Sequence, residues 1–245
     1  MKCVLAAAGF VNEDIERNKN TVIRYLREYS GKADAVLFGE AFLQGFYSAD
    51  FCVGHDSRIA REKDAQEIME IRTAARNYSV AVSFGFIEKE KDIFYSSQIT
   101  FGKDGEATDL YRRVSPGWKE KCAGEQYREG KDFHTFCFMG KKILAALCGD
   151  LWYDGNIRRV NELEPDLVWW PVYTDYHFSE WNTKIKYEYA KQIGKLHAPV
   201  LYVNSVCLDR QDEYGIAKGG AVLFEQGRIL EEIPAGSEGT LIAEC

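Results

Sequence analysis

Short apolar runs, each too brief for a helix of ordinary length, recur through the chain and alternate with stretches whose apolar residues fall at helical spacing. Residues 2–8, 35–38, 142–148, 167–172 and 200–204 are such runs, and residues 80–87 alternate as a strand does. Residues 95–101 and 107–113 flank Gly102-Lys103-Asp104-Gly105, a turn sequence that predicts a hairpin. Residues 12–29 place Ile15, Val22, Leu26 and Tyr29 along one side of a helix, with Asn12 as N-cap and Gly31 beyond the end. Residues 59–78 predict a second helix with Ile68, Ile71, Ala75 and Tyr78 on its apolar stripe, and residues 156–163 a short one. Residues 181–197 carry Trp181, Ile185, Tyr189, Ile193 and Leu196 on one helical face. The tail returns to strands at 221–224, 228–233 and 240–243, with Gln226-Gly227 at a turn. Alternating helices and strands with interleaved hairpins predict a layered α/β protein with mixed sheets. No repeat, low-complexity stretch or Pro/Gly/Ser linker divides the chain, so residues 1–245 read as one domain.

Composition narrows the partners. The net charge of −7 leaves little counter-charge for phosphates, which argues against nucleic acid or an anionic membrane. No run approaches the roughly 18 apolar residues of a membrane span. The opening residues meet Asn12, Glu13 and Asp14 too soon for a secretory leader and read instead as a first strand. Seven cysteines, without a CxxC pair, fit reduced thiols in a cytoplasmic protein and offer no zinc signature. A small neutral or polar molecule is the expected partner.

Three polar residues stand at strand ends, where α/β folds gather their ligands. Glu40 follows the run 35–38, Arg113 closes the second arm of the hairpin, and Cys148 closes the run 143–147. Cysteine attacks as its thiolate, so Cys148 needs a base or a nearby cation. Glu40 can be that base if burial behind Phe38 and Phe42 raises its pKa, and Arg113 or Lys119 can hold a tetrahedral intermediate. Gly149, lacking a Cβ, lets its backbone N–H approach a developing oxyanion. Each residue taken alone has a plainer reading: a buried small hydrophobe for Cys148, a solvated carboxylate for Glu40, a surface ion pair for Arg113.

The order and surroundings of these residues resemble the nitrilase (carbon-nitrogen hydrolase) superfamily, in its amidase-like branch. Val36-Leu37-Phe38-Gly39-Glu40 is similar to that family's Pro-Glu after the second strand, Leu110-Tyr111-Arg112-Arg113 to its Tyr-Arg-Lys, and Leu147-Cys148-Gly149-Asp150 to its Cys-x-Asp. The hairpin after Ser96-Ser97, the segment Glu164-Pro165-Asp166-Leu167-Val168, the run into Asn204, and Gly219-Gly220-Ala221 through Gly227-Arg228-Ile229-Leu230 extend the resemblance over nearly the whole chain. Two positions depart from the pattern. Gly39 stands for the proline, and Arg113 stands for the lysine, a planar guanidinium in place of a compact ammonium.

The resemblance implies a four-layer αββα sandwich of two mixed sheets, Cys148 as nucleophile, Glu40 as base, and hydrolysis of a small-molecule amide or carbamoyl C–N bond rather than a nitrile. It implies no metal or organic cofactor, and a homodimer or higher homo-oligomer, with the helix from Trp181 as the place to look for the interface. Arg113 leaves three readings: it substitutes for the lysine, Lys119 reaches in from the loop Ser115-Pro116-Gly117-Trp118, or turnover is lost and the chain is a binding protein. Acyl transfer to an amine is a further alternative. Glu125, preferred over Glu120, is the candidate for the family's second glutamate. Trp152, Tyr173 and Thr174, just beyond motif residues, are expected to line an aromatic-walled pocket, with Trp118 and Tyr153 as further candidates.

Overall fold

The computed structural model describes residues 1–210 and 214–245. In chain order these form β1 (Lys2–Ala7), β2 (Gly9–Phe10), α1 (Ile15–Glu28), β3 (Ala35–Leu37), α2 (Val53–Ile59), α3 (Gln66–Tyr78), β4 (Ala81–Glu90), β5 (Ile93–Phe101) and β6 (Ala107–Arg112). The second half supplies β7 (Thr135–Phe138), β8 (Lys141–Ala145), α4 (Asp154–Glu162), β9 (Leu167–Val172), α5 (Phe178–Glu180) and α6 (Lys186–Ile193). The chain closes with β10 (Val200–Asn204), β11 (Val206–Cys207), β12 (Ala221–Glu225), β13 (Arg228–Ile233) and β14 (Gly239–Glu244).

Two six-stranded sheets carry the fold, ordered β14-β1-β3-β4-β5-β6 and β13-β12-β10-β9-β8-β7, with a small parallel pair β11-β2. Each large sheet has three parallel strands at its centre, β1-β3-β4 and β8-β9-β10, with antiparallel neighbours outside them. The two-residue period of a strand explains the layering. Along β1, Cys3 and Leu5 face the other sheet, where they meet Trp169, Leu201, Val203 and Leu223. Val4 and Ala6 face the opposite way, onto Val22 and Leu26 of α1 and Ile68 and Ile71 of α3. On the second sheet, Leu144, Val168, Trp170 and Tyr202 pack under Ile157 and Val160 of α4 and Tyr189 and Ile193 of α6. Burying side chains of this size stabilises by roughly 1.5–3 kcal/mol each, so these three interfaces drive the assembly. The result is the four-layer αββα sandwich, and no helix among the described residues is long and apolar enough to cross a membrane.

Several elements differ from the sequence reading. Asp14, not Asn12, caps α1, accepting from the Arg17 N–H at 3.1 Å. Asn12 is drawn away by the Tyr47 backbone and Asp209. The single helix expected over 59–78 is two, because Arg61 leaves the helix and joins the sheet: its N–H donates to Ile87 and its carbonyl accepts from Lys89. The Arg61 guanidinium then donates to the carbonyls of Arg58, Ile59 and Ala60, closing the end of α2. The helix expected over 181–197 starts at Phe178, passes through a π-helical stretch Trp181–Ile185 and ends at Ile193. Its aromatic face is spent within the chain, since Trp181 and Tyr189 are buried and Tyr187 is left outside. Strand β7 went unread; its Phe136 and Phe138 pack edge-on against Trp169.

Candidate active site

Strand β3 ends at Leu37, and Glu40 lies three residues beyond it, fully buried. Its N–H donates to the Val172 carbonyl at the end of β9, so the carboxylate sits where the two sheets meet. Gly39 explains the missing proline. A Cβ there would lie 2.6 Å from the Ser205 Oγ and 2.8 Å from the Val172 carbonyl oxygen. Only a residue without a side chain passes between the sheets at this point.

Arg113 follows β6 directly and is also buried. Its Nη1 donates to both Glu40 oxygens, at 3.0 and 3.3 Å, its Nε to the Ser115 hydroxyl at 3.0 Å, and its Nη2 to the Pro116 carbonyl at 3.3 Å. The Ser96 hydroxyl of β5 donates to the same Glu40 at 2.7 Å. Burial opposes the charge on Arg113, but Glu40, Cys148 and Asp150 outweigh it and hold the guanidinium protonated.

Strand β8 stops at Ala145, and Cys148 opens a tight 3-10 turn, Cys148–Trp152. Its φ of +38° is a left-handed conformation unusual for a residue with a Cβ. The Trp170 indole N–H donates to its carbonyl at 2.9 Å, and its own thiol donates to the Tyr173 carbonyl at 3.3 Å. Burial pushes the thiol up to about 12; Arg113 pulls it down and Glu40 pushes it further up. At rest the sulfur is therefore a protonated thiol. Gly149 packs against the cation, for a Cβ there would stand 2.5 Å from Arg113 Nη2 and 3.1 Å from the Ser115 Oγ. The guanidinium thus lies between the buried carboxylate and the turn that carries the sulfur.

The structure brings Glu40, Arg113, Cys148 and Gly149 together. It does not bring Lys119 to them: that ammonium donates to the Tyr127 carbonyl at 2.7 Å and pairs with Glu129 at 2.9 Å. Glu125 is exposed, and among the described residues none of the side-chain hydrogen bonds made by Glu40, Arg113, Ser115 and Cys148 reaches it. Tyr173 meets Cys148 through its carbonyl; its ring stacks on Phe46 at 4.4 Å. Thr174 is buried with its hydroxyl against the Tyr202 hydroxyl and the Asn204 amide, a core network rather than an open wall. Trp152 is partly exposed and stands edge-on to Tyr189, and Trp118 is buried against Phe51 and Tyr127. Ser96 and Ser115 were missed as partners; alternation along β5 turns Ser96 toward Glu40, a signal visible only once the strand neighbours are known. A surface groove of about 470 Å³ is lined by Arg72, Phe101, Asp109 and His134 and includes none of Glu40, Arg113, Cys148 and Gly149.

A chain with this fold, carrying a buried carboxylate, a fixed cation and a cysteine at adjacent strand ends, can be set beside known proteins. The sequence model described as carbon-nitrogen hydrolase matches residues 4–245. This chain belongs to the carbon-nitrogen hydrolase family. Among curated members, a glutamine-dependent NAD(+) synthetase of Aquifex aeolicus is 24% identical over 98% of the chain, which spans 41% of that protein's length. A cyanide hydratase of Gibberella zeae is 38% identical over a 58-residue segment, 24% of the chain and 16% of that protein. Among solved structures, the NitN amidase from Neterenkonia sp. AN1 superposes with a TM-score of 0.82 at 17% identity, covering 100% of this chain and 92% of that one. A glutamine-dependent NAD+ synthetase from Acinetobacter baumannii superposes at 0.76 and 20% identity, covering 98% of this chain and 44% of that one. These likenesses place the fold in the family's αββα sandwich.

Proposed function

We propose that this chain hydrolyses a small-molecule amide or carbamoyl C–N bond through a thioester on Cys148. The observation that carries the proposal is the Arg113 guanidinium, bonded to Glu40 and packed under Gly149 beside the nucleophile's turn. As the substrate carbonyl enters, Glu40 takes the thiol proton and sulfur adds to the carbonyl carbon. The oxyanion is held by Arg113 and the Gly149 N–H. Glu40 returns the proton to the leaving nitrogen, and ammonia or an amine departs. Glu40 then deprotonates water, which attacks the thioester and releases the acid with Cys148 as thiol again. A planar guanidinium offers two N–H groups on one edge where an ammonium offers a point charge, so Arg113 can serve Glu40 and an oxyanion together. In a Glu→Gln mutant of the Nesterenkonia amidase, acrylamide (by Michael addition) and the acetamide moiety of fluoroacetamide are attached to the active-site cysteine with the amide group kept, so small amides reach that cysteine, which supports a small amide as the substrate class here.

A second reading has a specific support. The curated relatives that match along nearly the whole chain are glutamine-dependent synthetases, so glutamine belongs in any substrate panel as the amide donor. Ammonia release from the panel, compared between wild type and Glu40→Gln, tests the proposal. The variant is expected to lose about 10²–10⁴-fold in acylation while Cys148 still reacts with iodoacetamide. Equal turnover in both proteins would remove Glu40 from the mechanism. Turnover that appears only when an amine acceptor is present would favour acyl transfer, and its absence across the panel would favour the binding-protein reading.

A further inference from the structure

Asp150 is buried two residues beyond the nucleophile, and its carboxylate gathers donors from two separate elements. Oδ2 accepts from the Leu147 N–H at 2.8 Å and from the Tyr111 hydroxyl at 2.6 Å. Oδ1 accepts from the Ser115 N–H at 2.7 Å and the Val114 N–H at 3.2 Å. The Asp150 N–H in turn donates to the Leu147 carbonyl at 2.8 Å, closing a loop around Cys148. One carboxylate thus clamps the turn that forces Cys148 into left-handed backbone, and also clamps the two residues that follow Arg113. Ser115, fixed by its own N–H, accepts from the Arg113 Nε with its hydroxyl, so the orientation of the guanidinium depends on the same clamp.

We infer that Asp150, with the Tyr111 hydroxyl, is a positioning residue that sets the distance between the Arg113 cation and the Cys148 sulfur and maintains the strained nucleophile turn. A merely structural carboxylate would need one or two donors from its own turn. Here four donors arrive, three of them from the cation's side. Its charge works against the nucleophile. Arg113 beyond β6 stabilises a thiolate at Cys148, whereas Glu40 beyond β3 and Asp150 on the same turn oppose it; the hydroxyls of Tyr176, of Tyr189 in α6 and of Tyr202 in β10 also lie within electrostatic reach of the sulfur. The contribution of Asp150 to the site is then its geometry, since its charge hinders thiolate formation.

That opposition yields a test that separates geometry from charge and rests only in part on the amidase reading. In Asp150→Asn the charge is gone, and one amide oxygen replaces two carboxylate oxygens. If charge alone mattered, iodoacetamide would alkylate Cys148 faster than in wild type across about pH 7–10. If Asp150 positions Arg113, the guanidinium loses its register, and alkylation stays level or slows. Acylation by a turned-over amide falls by ~100-fold with little change in KM. Tyr111→Phe removes one donor and leaves the charge; it is expected to keep its thermal midpoint within a few degrees and to lose roughly fivefold to tenfold in acylation. Faster alkylation in Asp150→Asn, or full acylation in Tyr111→Phe, would overturn the inference. A wild type with no acylation would instead defeat the amidase reading, and the alkylation comparison would still decide this one.

Discussion

Arg113 and Glu40 form a buried ion pair that joins the end of β6 to the end of β3, with one guanidinium nitrogen 3.0 and 3.3 Å from the two carboxylate oxygens. A pair this enclosed stabilises the fold only while both partners remain. Arg113→Ala strands a buried carboxylate and is expected to cost about 3–5 kcal/mol, measured by denaturant unfolding. Arg113→Lys, which restores the charge but not the bonds to Ser115 and Pro116, is expected to recover most of that stability. Equal stability of the alanine variant and wild type would show that the ion pair contributes nothing net to the fold.

Gly149→Ala places a methyl group 2.5 Å from Arg113 Nη2, and the guanidinium has three other anchors that resist a shift. Overpacking of this kind costs roughly 1–3 kcal/mol. The loss in acylation is expected to be larger in proportion, ~10²–10³-fold, because the displaced group is the oxyanion's partner in the proposed mechanism. Single-turnover acylation beside a denaturant melt checks both; a melt lowered with acylation intact would place the oxyanion elsewhere.

The resting thiol sets the pH dependence. Burial raises the Cys148 pKa to about 12, so its thiolate fraction at neutral pH is small and grows with each step upward in pH. Alkylation of the free protein by iodoacetamide is expected to climb without a plateau from about pH 7 to pH 10. A plateau near neutrality, lost in Arg113→Gln, would show instead that the cation holds a thiolate before substrate arrives.

Much of this architecture was legible in the sequence, for local reasons. Apolar runs that end abruptly at Glu40, Arg113 and Cys148 mark strand ends, and strand ends converge in an α/β sandwich. What was not legible depended on distant partners. Residues 59–78 read as one helix, and nothing nearby says that Arg61 will leave it to pair with β4. Arg113 and Lys119 were equal candidates because they share one short stretch; the choice is made by Glu129 and the Tyr127 carbonyl, which capture Lys119, and by Glu40, which captures Arg113. Thr174 sits beside the site in sequence, yet Tyr202 and Asn204 take its hydroxyl into the core.

The most direct test of the account is intact mass after brief incubation with a panel of small amides, glutamine included, comparing wild type with Cys148→Ala. Wild type is expected to carry an acyl adduct and to release ammonia or amine, and Cys148→Ala to do neither. No adduct and no release from wild type across the panel, or adducts that persist in Cys148→Ala, would contradict it.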